Sequence, residues 1–148
     1  MSKKILITGG TGFIGYHLSK KCVTLGWSVT SISSKYPKLN KKIKGIKYLK
    51  IDITNQNKLN KINDNFDYVV NLAGYVDHSN KKKTLESHYT GCKNLASLFM
   101  NKKIKKFIQV GSCIEYGKLK SPQTENKKNN QSTYSVYGRA KLLSTKFL

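Results

Sequence analysis

Tyr137 and Lys141 stand four residues apart in Tyr137-Gly138-Arg139-Ala140-Lys141. On a helix that spacing puts both side chains on one face, within reach of a common ligand. A cation beside a phenol favours the phenolate, which lets a tyrosine exchange protons near neutral pH. Both residue types are common in this chain, and a solvated helix face is the simpler account of the pair taken alone. Ser112 closes Lys106-Phe107-Ile108-Gln109-Val110-Gly111-Ser112, which reads as a strand. Open parallel sheets hold their ligands at that C-terminal edge. A hydroxyl there can bind a substrate oxygen, or it can merely satisfy the backbone of the turn.

A third feature lies at the N-terminus, where the apolar run Lys4-Ile5-Leu6-Ile7-Thr8 feeds into Gly9, Gly12 and Gly15. Strand, glycine-rich turn and helix N-terminus in succession form an anion site, because backbone N–H groups and the positive end of the helix dipole point at a phosphate. Gly9 permits the tight turn, Gly12 lets a pyrophosphate approach the backbone, and Gly15 lets the helix pack closely on its strand.

The elements that must position these residues alternate along the chain, which predicts an α/β domain with a parallel sheet. Lys3 to Thr8 is the first strand. The helix after Gly12 runs to about Leu25, with Ile14, Leu18, Cys22 and Leu25 on its inner face and Gly26 as its stop. Ser28 to Ser33 is the second strand, and a loop through Pro37 and residues 40–44 leads to a third, Ile46 to Ile51. Asn55 to Ile62 reads as a short helix and Asp67 to Ala73 as the fourth strand. A long helix spans about Thr84 to Met100, with Leu85, Tyr89, Cys92, Leu95, Ala96 and Phe99 at core spacing. Lys106 to Ser112 is the fifth strand, 118–131 a polar loop, and a last helix starts near Ser132 to Ser135 and continues through Leu148 without a stop signal. The whole of 1–148 reads as one domain, the opening part of a longer protein.

Composition narrows the function. The chain has 148 residues, 38% of them hydrophobic, enough for one domain with a real core. No apolar run approaches the roughly 18 residues that cross a bilayer, so the expectation is a cytoplasmic protein with no membrane partner. Cys22, Cys92 and Cys113 are odd in number and far apart, and His17, His78 and His88 lack ligand spacing; neither a disulfide framework nor a metal site is expected. The net charge of +21 raises nucleic acid as a partner. Its basic residues are lysines everywhere except Arg139 and are scattered over every segment, so no nucleic-acid site is expected.

The order TGGTGFIG, Asp52-Ile53, Asn71-Leu72-Ala73-Gly74, GSCIEYG at 111–117, then YGRAK resembles the extended short-chain dehydrogenase/reductases, and within them the nucleotide-sugar epimerase/dehydratase group. The resemblance covers essentially the whole chain. It implies a Rossmann-type doubly wound parallel sheet that binds NAD(P), cut off before the last strands and the substrate domain. It makes Ser112, Tyr137 and Lys141 catalytic: Tyr137 the acid/base at a sugar hydroxyl or carbonyl, Lys141 its tuner and the holder of the nicotinamide ribose, Ser112 the residue that orients the sugar. Gly9, Gly12 and Gly15 with the N–H groups of Phe13 and Ile14 would receive the pyrophosphate. Asp52 and Ile53 would flank the adenine, and Leu72, Ala73 and Gly74 would line the cleft through to Val76. Full-length members commonly dimerise through helices corresponding to 84–100 and 132–148.

Three departures qualify what the resemblance implies. NAD users usually end the second strand with a carboxylate; here Ser33, Ser34 and Lys35 stand there, which tilts the choice between NAD and NADP toward NADP. His88 replaces a common asparagine and alters one cofactor contact. Cys113 and Ile114 replace the Asp-Glu pair of the 4,6-dehydratases, leaving epimerase or 4-keto-sugar reductase, acting in surface polysaccharide synthesis. A reductase of another small carbonyl compound is the alternative enzyme. A non-catalytic dinucleotide-binding regulator is the alternative of another class, disfavoured because Ser112, Tyr137 and Lys141 occur together. The segments that would select the sugar lie outside the 148 residues, so the chain alone is expected to lack turnover.

Overall fold

A computed structural model of the chain describes residues 2–117, 122–124 and 135–148. Strands β1 (Lys4–Thr8), β2 (Ser28–Ser33), β3 (Ile46–Lys50), β4 (Tyr68–Asn71) and β5 (Lys106–Gln109) form one sheet. Their order is β3-β2-β1-β4-β5, and every pairing is parallel. Helices α1 (Phe13–Thr24), α2 (Gln56–Leu59), α3 (Lys81–Leu85), α4 (Gly91–Phe99) and α5 (Val136–Phe147) complete the fold, with a π-helical turn at Glu86–Thr90 between α3 and α4. This is the parallel α/β sheet that the alternation of elements predicts, in the doubly wound Rossmann-type arrangement that the family resemblance implies.

The strands are apolar on both faces because both faces are covered. Leu6, Ile32 and Val69 point to one side, where Leu59 of α2 and Leu95 and Phe99 of α4 close the larger core. Ile5, Ile7, Val29 and Val70 point to the other, against Cys22 of α1. Each such fully buried aliphatic side chain stabilises the fold by about 1.5–3 kcal/mol relative to exposure. The strand order reverses between β1 and β4, β2 and β3 lying to one side and β4 and β5 to the other, so the crevice of an open sheet falls at the C-terminal ends of these two strands. At that edge a buried polar ladder crosses the sheet. Thr8 Oγ1 donates to Asn71 Oδ1, and Asn71 Nδ2 donates to Gln109 Oε1 at 2.6 Å.

Several boundaries and faces differ from the sequence expectation. Helix α1 buries Gly15, Ser19 and Cys22, while Ile14 and Leu25 are exposed. The helix sits so close to the sheet that only small side chains fit beneath it, and the larger apolar ones flank the contact. In the long helix the π turn adds a residue and rotates the preceding segment. Thr84 and His88 are buried there, whereas Leu85 is exposed and Tyr89 half-buried. From Cys92 onward the expected face holds. Strand β5 ends at Gln109, so Ser112 lies beyond it and caps a short 3-10 turn at Cys113–Tyr116. The expected loop 118–131 and the start of the last helix lie outside the described residues, apart from 122–124 and from Ser135, which N-caps α5.

The closeness of α1 yields a direct test. A Cβ on Gly15 would lie 2.3 Å from the Gly9 carbonyl oxygen and 2.6 Å from Gly10 Cα, backbone atoms that cannot rotate away. Gly15→Ala is expected to cost about 1–3 kcal/mol in urea denaturation; an unchanged midpoint would contradict this packing.

Candidate active site

The turn after β1 is built from backbone alone. Gly9 has φ of +67°, and a Cβ there would meet the Leu72 carbonyl oxygen at 2.8 Å. Its N–H donates to Ile32 O and its carbonyl accepts from Gly12 N, each at 2.9 Å. Gly12 N-caps α1 without a side chain, and the first turn of α1 carries no acidic residue. The helix dipole therefore points its positive end at the cleft with no carboxylate of its own to neutralise it.

A cleft of about 770 Å³ runs along the C-terminal edge of the sheet. Gly9, Gly12, Phe13, Ile14, Gly15, Ser33, Asp52, Ile53, Leu72, Ala73, Gly74, His88, Tyr137 and Lys141 all line it, so residues far apart in sequence meet at one place. Ser112 and Lys35 lie outside this lining. At the wall formed by β2, Ser33 Oγ is buried without a hydrogen-bond partner. Beyond β3, Asp52 Oδ1 accepts from Thr54 N and Thr54 Oγ1 at 2.9 and 2.8 Å, a local turn that leaves the aspartate exposed. A second cavity, of about 340 Å³, lies beside β3 among Tyr36, Pro37, Leu39 and Tyr48 and takes in none of these residues.

Helix α5 delivers the tyrosine and lysine together. Lys141 is buried, and its Nζ donates to the Val110 carbonyl oxygen at 2.7 Å. Burial lowers its pKa from the ordinary lysine value, opposed by the negative charge of Glu115. Its ammonium lies 5.8 Å from the centroid of the Tyr137 ring. That ring is stacked on His78 at 4.3 Å, with planes 15° apart, and His88 meets it edge-on at 4.9 Å. His88 Nε2 lies 3.1 Å from the Tyr75 carbonyl oxygen. A carbonyl can only accept, so Nε2 carries the proton and Nδ1, buried and unpartnered, keeps its lone pair. The His88 ring occupies the space that a side chain at residue 74 would fill, since a Cβ on Gly74 would lie 2.1 Å from Cε1.

A sequence profile of the NAD dependent epimerase/dehydratase family matches residues 5–148. The chain belongs to the NAD-dependent epimerase/dehydratase family. It is 31% identical over 134 residues to a UDP-N-acetyl-alpha-D-glucosaminuronate decarboxylase of Bacillus cytotoxicus, a match covering 85% of this chain and 41% of that protein. It is 32% identical over 153 residues to dTDP-D-glucose 4,6-dehydratase of Dictyostelium discoideum, covering 88% of this chain and 34% of that one. In three dimensions the Bordetella bronchiseptica enzyme WbmG, solved with NAD and UDP, superposes with a TM-score of 0.87 at 21% identity. That superposition covers 99% of this chain and 49% of WbmG. The chain thus spans less than half the length of the curated relatives named here.

Around this cleft the structure brings in residues that sequence reading passed over. His78 appeared only as a histidine without metal spacing, and no local pattern could place its ring on Tyr137. Glu115 had a signal: Ser112-x-x-Glu115 is a capping box, and both of its hydrogen bonds are present. Among the described residues, no group of three His, Cys, Asp or Glu side chains converges as a metal site would require. No helix among them is long and apolar enough to cross a membrane.

His88 makes stability depend on pH. Desolvation, the largest cause, lowers its pKa from 6.5 to about 4, so the folded state keeps it neutral where an unfolded chain would protonate it. Its contribution is therefore complete above pH 6.5 and is lost as pH falls from 6.5 toward 4. Denaturation at pH 7 and pH 5 should differ by about 1–2 kcal/mol more in the parent than in His88→Asn. Equal differences in the two proteins would show that His88 is not held neutral.

Proposed function

We propose that the chain is the cofactor-binding and proton-transfer part of an NAD(P)-dependent nucleotide-sugar epimerase or 4-keto-sugar reductase, serving surface polysaccharide synthesis. The observation that carries this reading is the convergence of Tyr137 and Lys141 on the cleft that begins at the Gly9–Gly15 turn. The residues present fit a dinucleotide. Backbone atoms rule out a side chain at Gly9 and at Gly15, the N-terminus of α1 is uncapped by any side chain, and Ser33 Oγ is buried in want of a partner. When bound, a nicotinamide accepts and returns the hydride that interconverts a sugar alcohol and its ketone.

The chain's own part is to move the accompanying proton. Tyr137 takes it from the sugar hydroxyl, or gives it to the carbonyl oxygen, as the hydride leaves or arrives. Lys141, pinned by Val110, keeps a positive charge beside the phenol and favours the phenolate when the proton departs. The stack on His78 and the edge of His88 restrict the phenol to one orientation. Ser112 orients the sugar from the turn beyond β5. Its Oγ accepts from Ile114 N, so its own proton remains available to a substrate oxygen. Without carboxylates at positions 113 and 114 the site is not equipped for elimination, which favours epimerisation or reduction over dehydration.

For the cofactor, the end of β2 presents Ser33 and Ser34 to the cleft and no carboxylate, which supports acceptance of a 2′-phosphate. NADP(H) is expected to bind at least as tightly as NAD(H) in calorimetry, with Ser33→Asp moving the preference to NAD; a clear NAD preference in the parent would reverse this assignment. For the reaction, the complete encoded protein should turn over at least one member of a nucleotide-sugar panel. Tyr137→Phe should lower kcat by about 10²–10⁴-fold while cofactor affinity stays near that of the parent. Turnover that survives this substitution would remove Tyr137 from its role.

A further inference from the structure

The described residues bury two charged side chains of opposite sign, Lys141 at 6% exposure and Glu115 at 9%. Lys141 has an assigned task; Glu115 has none. Both of its oxygens are engaged. Oε1 accepts from the Ser112 backbone N–H at 2.7 Å, closing the capping box, and Oε2 accepts from Thr145 Oγ1 on α5 at 2.7 Å. One carboxylate thus ties the serine-bearing turn to the helix that carries Tyr137 and Lys141. Gly111 keeps room for it, since a Cβ there would lie 3.0 Å from Oε1.

We propose that Glu115 is a positioning residue of this site: its carboxylate fixes the Ser112 turn against α5 and, through Thr145, sets a negative charge against α5 one helical turn from the buried Lys141. The proposal rests on reading Tyr137 and Lys141 as the proton-transfer pair. A plain helix cap would need neither burial nor the bond to α5, because a solvated Ser-x-x-Glu box closes equally well at a surface. Burying an ammonium is costly unless an opposite charge accompanies it. Lys141 has the Val110 carbonyl as acceptor, which is neutral, with Cys92 on α4, His88 on the π turn and Tyr137 one helical turn earlier as its other titratable neighbours. Burial lowers the lysine's pKa, and Glu115 is the leading influence holding it up.

The charge can be read without any substrate. Lysines labelled with ¹³C at Cε are titrated by NMR in the complete encoded protein, with Lys141 assigned by its loss in Lys141→Arg. Its resonance should titrate below the main lysine group. Glu115→Gln, which keeps an acceptor for Ser112 N but removes the charge, should move its midpoint further down. Thr145→Val, which keeps the charge, should leave the midpoint in place. In turnover, both variants should lower kcat several-fold with KM and cofactor affinity close to the parent's. The alkaline limb of the pH profile should shift to lower pH in Glu115→Gln alone. A lysine midpoint and kcat unmoved in Glu115→Gln, with only the melting temperature lowered, would make Glu115 a structural cap and overturn the proposal. If Glu115→Gln does not fold, an unchanged kcat in Thr145→Val overturns the positioning role. Absence of turnover with every sugar would instead defeat the functional reading, and the lysine titration would still decide the role of Glu115.

Discussion

The constraint on which the rest depends is the approach of bare backbone at two points around Gly9. Its Cα faces the Leu72 carbonyl across the β1–β4 junction, and its own carbonyl lies beneath Gly15 of α1. Methyl groups at these positions would push the helix off the sheet and spread the two strand ends. With hydrogens there, the N-terminus of α1 comes down onto the crevice where the strand order reverses. The glycine end of the cleft is therefore a consequence of packing, made from peptide groups that cannot change rotamer.

At the other end of the cleft the governing problem is buried polarity. Thr8, Asn71 and Gln109 satisfy one another across three strands, and the Ala73 N–H donates to Thr8 Oγ1 at 3.1 Å, which fixes the loop leaving β4. Ser144 of α5 donates to the His88 carbonyl at 2.7 Å, bonding the last helix to the π turn. Such single-turn widenings frequently occur at functional sites, and this one carries the histidine that meets the Tyr137 ring. Lys141 reaches through to Val110 at the end of β5. Helix α5 is held by hydrogen bonds at buried points as well as by apolar area, so its placement is specific in rotation as well as in depth.

These two ends differ in how they use charge. The glycine end offers partial positive charge from peptide dipoles and suits a ligand that brings its own anion. The α5 end holds full charges away from water, where each is felt more strongly than at the surface. A chain with a net charge of +21 places its other described lysines in exposed or half-buried positions and buries Lys141. The basic character of the protein as a whole and the chemistry of its cleft are thus separate matters.

What the sequence determined by itself is local. The five strands, the glycine turn after the first and the Tyr137–Lys141 spacing were legible because periodicity, glycine spacing and helical register reside in contiguous residues. The cleft residues drawn from the family resemblance, all but Ser112 and Lys35, also meet along one wall. Tertiary structure alone decided which face of α1 turns inward, because that depends on how closely the helix can approach Gly9 and Gly10. It decided the rotation of the α3–α4 helix, where the π turn exchanges Leu85 for Thr84 in the interior. It also stacked His78 on Tyr137 and bonded Glu115 to Thr145, contacts between segments 59 and 30 residues apart. Contacts of that range depend on where several loops deliver their ends, and no short-range pattern in the chain encodes it.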